Sequence, residues 1–496
     1  MLNTTFSSVT RVRWSSANPG DLFDVENPAT GELITRVQGS SEAEVDKAVR
    51  AAHDAFFRWK NLPAGERGRL LVAAGRHLEQ HAEELAELVS KENGKPKRDA
   101  LAFDVASLTG SFAYFGSLCG KLSSDHVDLG FVTSSTVREP FGVVAGIIPF
   151  NWPPIHTGAK VAPALAAGNT IVLKPGDQAP LTILRIVDLI NEVLPEDIVH
   201  VLPGVGAAVG QALTAHPLIR KISFTGAPTT GTAVLKAAAE RHVPVLCELG
   251  GKNPLVVMPD ANLDQAVMDA IDGAFFNKGE ACTAASRLLV HADIHDVFVR
   301  RLSNAVHNLR SGDGLVDSTQ IGPVVSRAQK EKVLGYIAIG EEEGARIAAQ
   351  GNLPADDRLA RGHFVPPTLF VGVTKDMRIA QEEIFGPVTC VMKFRSETEA
   401  VDIANSTDFA LVAAVYSQSI ETCNRMARAI EAGIVFVNNY NRIVLGTPFG
   451  GTKSSGYGRE HCVDTLKEFS YPKAIRVPTG RTPVPEWATV TELFKS

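Results

Sequence analysis

The sequence predicts an α/β protein built on a doubly wound parallel sheet. Short apolar runs rich in β-branched residues alternate with amphipathic helical stretches over most of the chain, which is the pattern of βαβ units. The runs at 142–148, 170–173, 222–224 and 255–258 are typical of buried parallel strands. No repeat with a period of 20–50 residues interrupts this alternation. The chain has 496 residues, and since one domain usually takes about 100–200, we expect two or three domains.

The composition is that of an ordinary globular protein. Hydrophobic residues make up 45% and charged residues 21%, which argues against disorder. The net charge of −6 gives no electrostatic reason to expect a nucleic acid or a membrane as the partner. No apolar run reaches the ~18 residues of a membrane span, and the N-terminus lacks a secretory signal and matches a transit peptide only weakly. Six cysteines without a CxxC pair favour a reducing compartment, so we expect a cytoplasmic protein without a metal site.

Two helices near the N-terminus and one strand near the C-terminus can be predicted from local pattern. Ser41 and Glu44 form a capping box ahead of an apolar helical face that includes Val45. A second amphipathic helix is predicted through 70–78. Residues 473–477 have the pattern of a strand with no helix after it. Such a strand joins another sheet, either in its own domain or in a second subunit.

Two glycine-rich loops and one charged pair are candidates for binding phosphate and ribose. The loop 203–210 has the spacing GxGxxxG, which differs from the dinucleotide fingerprint and is weak evidence alone. The loop 224–231 follows a strand and precedes a helical run, so its N–H groups could face a phosphate. Lys174 ends a predicted strand, and with Asp177 it could hold ribose hydroxyls. A plain turn remains the simpler interpretation of each.

Cys282 is the strongest candidate nucleophile. It stands among small residues shortly after Gly279, although most cysteines are simply buried. Glu248 lies upstream and precedes two glycines that allow a backbone or a ligand to approach closely. Asn151 places an amide at the end of a predicted strand. These neighbours strengthen the case that Cys282 is reactive.

From about residue 23 to residue 475, the sequence resembles the aldehyde dehydrogenase superfamily, in its NAD(P)-dependent, non-acylating form. Seven motifs occur in the family's order and spacing. They are PFNWP with Asn151, LKPGDQ with Lys174, FTGAPTTG at 224–231, ELGGK with Glu248, GEAC with Cys282, EEIFGPV at 382–388 and PFGGTKSSGYGRE at 448–460. One such match could be a coincidence, but seven in order are not.

The resemblance implies catalytic roles for four residues. Cys282 matches the nucleophile, whose thiolate adds to the aldehyde carbon. Asn151 and the backbone N–H of Cys282 match the oxyanion hole of the resulting thiohemiacetal. Hydride transfer to the nicotinamide leaves a thioester, and Glu248 matches the base that activates water to hydrolyse it. Lys160 matches a position that supports this carboxylate.

The resemblance also implies NAD as the cofactor. Lys174 and Asp177 match the contacts to the adenosine ribose, and because a carboxylate repels a 2′-phosphate, NADP is less favoured. Ala227 stands where the family commonly has Ser, so one hydroxyl contact to the pyrophosphate is missing. Glu383 and Phe385 match residues that position the nicotinamide ribose. The other expected cofactor residues are Ile147, Ile148, Pro149, Phe150, Gly206, Gly210, Phe224, Gly226, Thr230, Leu249 and Gly250.

Three parts are implied by the same resemblance. Residues 1–122 and 142–248 would form a Rossmann-type NAD-binding domain, and 249–455 the α/β catalytic domain. Residues 123–141 and 456–496 would form a small β extension and tail that mediate a homodimer or homotetramer. The predicted strand at 473–477 lies where the family's oligomerisation strand is expected.

The substrate is the least determined feature. The expected tunnel residues are Trp152, His156, Ala159, Arg442, Ile443 and Phe449. The small Ala159 would widen the tunnel for a ring or a branched chain, whereas Arg442 could anchor the carboxylate of a semialdehyde acid. Aromatic and aliphatic aldehydes both remain open. A CoA-acylating semialdehyde dehydrogenase and a catalytically silent binding or structural protein are the alternative functions, and the intact Cys282, Glu248 and Asn151 argue against them.

Overall fold

A computed structural model of the protein describes residues 22–440 and 443–494. The strands are β1 (Leu22–Asn27), β2 (Glu32–Gln38), β3 (His126–Asp128), β4 (Val132–Pro140), β5 (Val143–Ile147), β6 (Thr170–Lys174), β7 (Val199–Val201), β8 (Ile219–Thr225), β9 (Val245–Glu248), β10 (Pro254–Val257), β11 (Arg287–His291), β12 (Arg346–Gln350), β13 (Thr368–Val371), β14 (Val388–Phe394), β15 (Phe409–Ala410), β16 (Val412–Tyr416), β17 (Ile434–Val437), β18 (Thr452–Lys453), β19 (Gly456–Tyr457) and β20 (Ser470–Pro478).

The helices pack against these strands in alternation. They are α1 (Glu42–Asn61), α2 (Ala64–Gln80), α3 (Ala82–Asn93), α4 (Lys97–Asp99), α5 (Ala106–Leu118), α6 (Pro153–Ala166), α7 (Leu181–Asn191), α8 (Ala208–Ala215), α9 (Pro228–Ala239), α10 (Leu263–Phe275), α11 (His295–His307), α12 (Arg327–Glu342), α13 (Arg378–Gln381), α14 (Glu397–Ala404), α15 (Ile420–Ala429), α16 (Val463–Glu468) and α17 (Ala488–Leu493). A π-helical turn, Ala100–Val105, joins α4 to α5.

The first large sheet has the order β19-β9-β8-β5-β6-β7 and is parallel except for β19. The chain runs outward from β5 through β6 to β7, and then returns to place β8 on the other side of β5. The strand order therefore reverses between β5 and β8. In doubly wound sheets, ligands bind at the carboxyl ends of the strands at this reversal point.

The second large sheet has the order β12-β13-β14-β11-β10-β16-β17, with only β12 antiparallel. Its central strands are buried on both faces, for example β10 and β16, because helices cover the sheet from both sides. The predicted α/β doubly wound architecture is confirmed, and the apolar runs at 142–148, 170–173, 222–224 and 255–258 all coincide with parallel strands.

A small antiparallel sheet with the order β20-β4-β3 projects from these two units. The strand predicted at 473–477 lies in β20, which pairs with β4 over its full length within the same chain. The short helix α17 follows this strand, which corrects the expectation that no helix comes after it. The segment 456–457 that we grouped with the tail pairs with β9 of the first sheet.

Local predictions near the N-terminus are confirmed. Ser41 caps α1, where its side chain accepts from Glu44 N and the Glu44 carboxylate accepts from Ser41 N, which is a full capping box. The second predicted helix is α2, with Leu71, Ala74 and Leu78 buried. In the part of the chain that the structure describes, no helix is long and apolar enough to cross a membrane.

Candidate active site

A cleft opens where β5, β8 and β9 end. Its cavity of roughly 170 Å³ is walled by the loops that follow these strands and by segments of the second sheet's unit. The lining residues are Pro149, Phe150, Asn151, Thr225, Gly226, Ala227, Leu249, Gly250, Cys282, Gln329, Lys332, Glu383 and Phe385. The structure therefore brings eight of the expected cofactor residues together with Asn151 and Cys282.

The loop between β8 and α9 presents a helix N-terminus to this cleft. Ala227 is the N-cap residue of α9 and offers no side-chain cap, which leaves the first N–H groups of the helix available to an anion. Phe224 is buried beneath the loop, where a Cβ at Gly226 would meet its ring at 2.7 Å. Thr230 lies exposed in the first turn. Phe224 therefore supports the loop from below, and the loop itself fits a diphosphate.

The expected ribose site lies beside the cleft. Lys174 Nζ donates to Asp177 Oδ1 at 3.0 Å, and the N–H of Gly206 donates to the other oxygen, Asp177 Oδ2, at 3.1 Å. Gly206 has φ +68°, a left-handed conformation that suits glycine. The predicted charged pair and the first glycine-rich loop thus meet here, since Asp177 ties the loop after β6 to the 203–210 loop. Ile147 and Ile148 end β5 below the cleft, and Gly210 lies in the first turn of α8.

Glu383 and Phe385 close the cleft from the second unit. Glu383 Oε1 accepts from Gly251 N at 2.9 Å, and a Cβ at Gly250 would lie 2.7 Å from the Glu383 carboxyl carbon. Only glycine at position 250 allows this close approach. Phe385 has φ +59°, which is rare for a large side chain, and its carbonyl accepts from Gln329 Nε2 at 2.6 Å.

The loop that carries Cys282 is held in an unusual backbone conformation. Asn277, Lys278 and Gly279 all have positive φ, at 51°, 61° and 68°. The Asn277 side chain donates to Asn151 O at 2.9 Å and to Glu280 O at 3.0 Å. Strained segments of this kind persist when their surroundings fix them. This one places the half-buried Cys282 opposite the loop of Asn151.

Asn151 is buried, and its Nδ2 donates to Glu280 O at 3.1 Å. An amide nitrogen has two hydrogens, so one remains for a developing oxyanion in the cleft. Desolvation of the Cys282 thiol, together with the negative charges of Glu248 and Glu383, raises its pKa above the ordinary value. The resting sulfur is therefore a thiol that needs a base.

Glu248 ends β9 and is almost fully buried. Neither carboxylate oxygen has a hydrogen-bond partner among the described residues. Burial raises the pKa of Glu248 well above its ordinary value, Glu460 adds to the rise, and Lys160 and Arg459 oppose it. Such a carboxyl can hold a proton near neutral pH and release it as the pH rises.

The resemblance implies that Lys160 supports Glu248 indirectly, and in the described part of the chain its hydrogen bonds go to other partners. Its Nζ donates to Glu460 Oε1 at 2.9 Å, to Thr225 Oγ1 at 2.8 Å and to Ser223 Oγ at 3.1 Å. Lys160 and Glu460 therefore form a fully buried ion pair. Lys160 acts on Glu248 through its charge rather than through a hydrogen bond.

A second cavity of roughly 120 Å³ lies on the other side of Cys282. Its lining residues are Phe103, Ser107, Trp152, Ile155, His156, Phe276, Cys282, Thr283, Ile443, Phe449, Glu460 and His461. The expected tunnel residues Trp152, His156, Ile443 and Phe449 line this cavity together with Cys282, and their role in binding substrate stays a prediction. Ala159 is fully buried in α6 and does not line this cavity, and Arg442 lies outside the described residues.

Buried ion pairs support the walls of both cavities. Lys95 and Asp104 pair at 2.7 Å with no exposure to solvent, and Lys95 Nζ lies 3.7 Å from the centre of the Trp152 ring. Lys278 Nζ contacts the Glu280 carboxylate at 3.0 Å. Breaking one partner of such pairs leaves an uncompensated buried charge, so they hold the 151–152 and 277–282 loops in place.

Several lining residues could not be found by pattern. Gln329 and Lys332 lie on α12 in a polar helical stretch that predicts only a solvated face. Phe103 belongs to the π-helical turn, and His461 follows the last recognised motif. Thr225 and Glu460 lie inside recognised motifs, as the second residue of FTGAPTTG and the final residue of PFGGTKSSGYGRE.

Comparison with known proteins gives a consistent result. A sequence model described as the aldehyde dehydrogenase family matches residues 14–475. An aldehyde dehydrogenase of Didymella fabae is 54% identical over 481 residues, which are 97% of each chain. The aldehyde dehydrogenase citD of Monascus ruber is 51% identical over 488 residues, which are 98% of this chain and 97% of the relative.

Solved structures agree with the sequence matches. The crystal structure of PnpE in complex with nicotinamide adenine dinucleotide superposes with a TM-score of 0.92 at 40% identity, covering 95% of this chain and 97% of PnpE. A second crystal structure is that of PnpE from Pseudomonas sp. WBC-3. These likenesses extend over nearly the whole of each chain.

Proposed function

Because this chain belongs to the aldehyde dehydrogenase family, we propose that it oxidises an aldehyde to a carboxylic acid with NAD through a thioester on Cys282. The observation that carries this proposal is the position of Cys282 as a wall of two cavities. One cavity contains the helix N-terminus, the glycines and Glu383, and the other contains an aromatic lining. A sulfur between them can hold a carbonyl carbon beside a cofactor.

The residues of the cofactor cleft fit NAD. The Ala227–Pro228 helix start offers N–H groups to the diphosphate, and Lys174 with Asp177 offers a donor and an acceptor for ribose hydroxyls. The carboxylate of Asp177 disfavours the 2′-phosphate of NADP. When bound, NAD supplies the hydride acceptor. The chain's own part is to orient the substrate carbon toward it.

The first chemical step belongs to Cys282. The sulfur loses its proton to Glu248, the nearby buried base, and forms a bond to the aldehyde carbon, whose oxygen takes the negative charge. The free hydrogen of Asn151 Nδ2 and the backbone N–H of Cys282 stabilise this oxyanion. As hydride leaves the carbon, the oxyanion re-forms the carbonyl group, and a thioester remains on Cys282.

Hydrolysis of the thioester belongs to Glu248. The proton taken from Cys282 first passes from Glu248 to solvent. The ionised carboxylate, whose two oxygens are unpartnered among the described residues, then takes a proton from a water that attacks the thioester carbon. The bond between the carbon and the sulfur breaks, the carboxylic acid leaves, and Cys282 regains its proton. The raised pKa of Glu248 means that this step should accelerate as the pH rises, because only the ionised carboxylate is a base.

A Glu248→Gln variant tests this assignment. Gln at position 248 cannot take a proton, so the Cys282 thiol must lose its proton to solvent and acylation slows. Hydrolysis should slow more, because water is a weaker nucleophile than the thiolate. The thioester should therefore accumulate, so intact mass after mixing with NAD and aldehyde should show an acyl adduct that disappears in Glu248→Gln/Cys282→Ala. Unchanged turnover with no adduct would contradict the role of Glu248. Release of the adduct as acyl-CoA when CoA is added, with no release to water in the wild type, would instead support the CoA-acylating alternative.

The assembly and location of the enzyme are part of the same proposal. The sheet β20-β4-β3 exposes the apolar side chains Val127, Leu129, Ile475 and Val477, which suits burial against a second copy in a homodimer or homotetramer. The domain division into 1–122 with 142–248, 249–455, and 123–141 with 456–496 remains a proposal. All six cysteines are free thiols, which suits the cytoplasm.

A further inference from the structure

The deep wall of the substrate cavity contains two buried histidines. His156 lies in the first turn of α6 and is 6% exposed, and His461 directly follows Glu460 and is 2% exposed. Both line the cavity that Cys282 opens into. They come from segments about three hundred residues apart, so the fold brings them together.

Three of the four ring nitrogens of these histidines lack partners among the described residues. Neither Nδ1 nor Nε2 of His156, nor Nδ1 of His461, has a hydrogen-bond partner among the described residues. Buried polar atoms are normally paired, and an unpaired one is costly. Two such side chains at one cavity wall indicate a ligand that completes their hydrogen bonds.

The charge state of the rings limits what this ligand can be. Burial and the nearby charge of Lys160 lower the pKa of both imidazoles. The charged groups that face them are the Lys160–Glu460 ion pair and, for His156, Lys95, which is paired with Asp104. A neutral imidazole has one donor and one acceptor nitrogen, which matches a hydroxyl group and does not match a carboxylate.

The remaining walls favour a flat substrate. The Trp152 and Phe276 rings lie 5.6 Å apart at 34°, Phe103 meets Phe276 at 4.9 Å, and Phe449 contacts His461 at 5.6 Å. Aromatic faces and edges on several sides suit another aromatic ring. The cavity is smaller than the roughly 300–1,000 Å³ of drug-sized pockets, so it suits a single ring.

We propose that His156 and His461 form a hydroxyl-recognising subsite, and that the substrate is a single-ring aromatic aldehyde that bears a hydroxyl group on the side away from the aldehyde. This inference rests on the proposed function and names its substrate class. The aldehyde carbon lies at Cys282, the ring lies between Trp152 and Phe449, and the hydroxyl donates to one imidazole nitrogen and accepts from another.

Paired substrates test this subsite in the full-length enzyme. The kcat/KM values for 3- and 4-hydroxybenzaldehyde are compared with those for the matching methylbenzaldehydes, which have nearly the same shape, by chromatography of the acid product. At least one hydroxyl isomer should exceed its methyl counterpart by roughly tenfold or more, mainly through KM. Equal kcat/KM for every pair would overturn the inference.

Variants show whether the histidines carry the preference. His156→Leu should bring the kcat/KM ratio of the hydroxyl to the methyl substrate in each pair close to one, and His156→Gln should restore part of the hydroxyl preference. His200→Leu replaces another buried histidine, in β7, and should leave the preference unchanged. Retention of the full preference in His156→Leu would contradict the role of His156.

The experiment separates this inference from the proposed function. Failure to oxidise any aliphatic or aromatic aldehyde with NAD would refute the proposed function, on which the inference depends. Oxidation of aldehydes without discrimination between hydroxyl and methyl would leave the proposed function intact and refute only the subsite.

Discussion

On the cofactor side of Cys282 most of the walls are loops that leave adjacent strands of one sheet, with α12 and the 383–385 segment added from elsewhere. On the substrate side the walls come from segments scattered along the chain. The cofactor cleft receives the turns after β5, β8 and β9 and depends on glycines and backbone N–H groups. The substrate cavity is lined by large side chains from the π-helical turn, α6 and the 443–461 region.

The difference shows how the two halves of the site are specified. On the cofactor side the backbone packs closely against other parts of the chain. A Cβ at Gly250 would clash with the Glu383 carboxylate, and one at Gly279 with Gly386 O. The substrate side needs only shape and a few polar groups, which many side chains can supply. We therefore expect the family's common chemistry to depend on the cofactor cleft, and the substrate preference of this chain to depend on the substrate cavity.

The largest expected effect concerns the residue shared by both sides. Cys282→Ala should lower turnover by at least about 10⁴-fold, because no other group can form the thioester. Binding of NAD, measured by titration calorimetry, should persist since the glycine loops are untouched. Cys423→Ala, at a buried thiol in α15, is the matched control and should keep full activity. Normal turnover of Cys282→Ala would remove the sulfur from the mechanism.

The next largest effect concerns the 151–152 segment, which lies between the cofactor cleft and the substrate cavity. Asn151 lines the cofactor cleft and Trp152 lines the substrate cavity. Asn151→Ala and the isosteric Asn151→Asp should each lower kcat by about 10²–10³-fold, since an oxyanion-hole donor is lost. Steady-state kinetics would measure this. A change confined to KM would show that Asn151 only binds substrate.

The third prediction concerns the pH dependence of the free energy of unfolding, through a buried carboxyl at the start of α7. The Glu92 carboxyl accepts from Leu181 N at 2.7 Å and Thr182 N at 2.8 Å, at the start of α7. Burial raises the pKa of Glu92 to about 7. The folded state therefore keeps a proton that the unfolded state loses near pH 4.5, and stability should fall by up to about 3 kcal/mol as the pH rises from about 4.5 to about 7.

Glu92→Gln isolates this contribution. The amide cannot ionise, so the variant should lose less stability over this pH interval than the wild type, although it starts lower because it accepts only one of the two N–H bonds. Thermal unfolding at pH 5, 6 and 7.5 would compare the two. Parallel pH profiles would show that Glu92 does not change its protonation there.

The smallest expected effect concerns the loop between β8 and α9, where we propose that the diphosphate binds. Ala227→Ser adds a hydroxyl at the N-cap of α9, so KM for NAD should fall by roughly three- to tenfold. Ala207 occupies the equivalent position before α8, also without a side-chain cap. If Ala207→Ser lowered KM for NAD equally, the effect would come from helix capping rather than from a contact between the new hydroxyl and the cofactor.

Particular elements show how far local pattern could predict the fold and the site. The α1 capping box, the parallel strands and the loop of Ala227 were predictable, because they depend on residues close in sequence. The contact of Lys160 with Glu460 rather than Glu248 was not, since it joins positions three hundred residues apart. Gln329 and Lys332 were also missed, because a helix face gives no signal of what packs against it.

The sequence by itself determined the αβ alternation, the candidate nucleophile and the candidate glycine-rich cofactor loops, because each depends on a short stretch whose backbone geometry allows few residues. Only the tertiary structure decided that Cys282 lines two cavities, that β20 pairs with β4, and that His156 and His461 line the same cavity. These depend on how distant segments pack, and packing is a property of the whole folded chain rather than of any one segment.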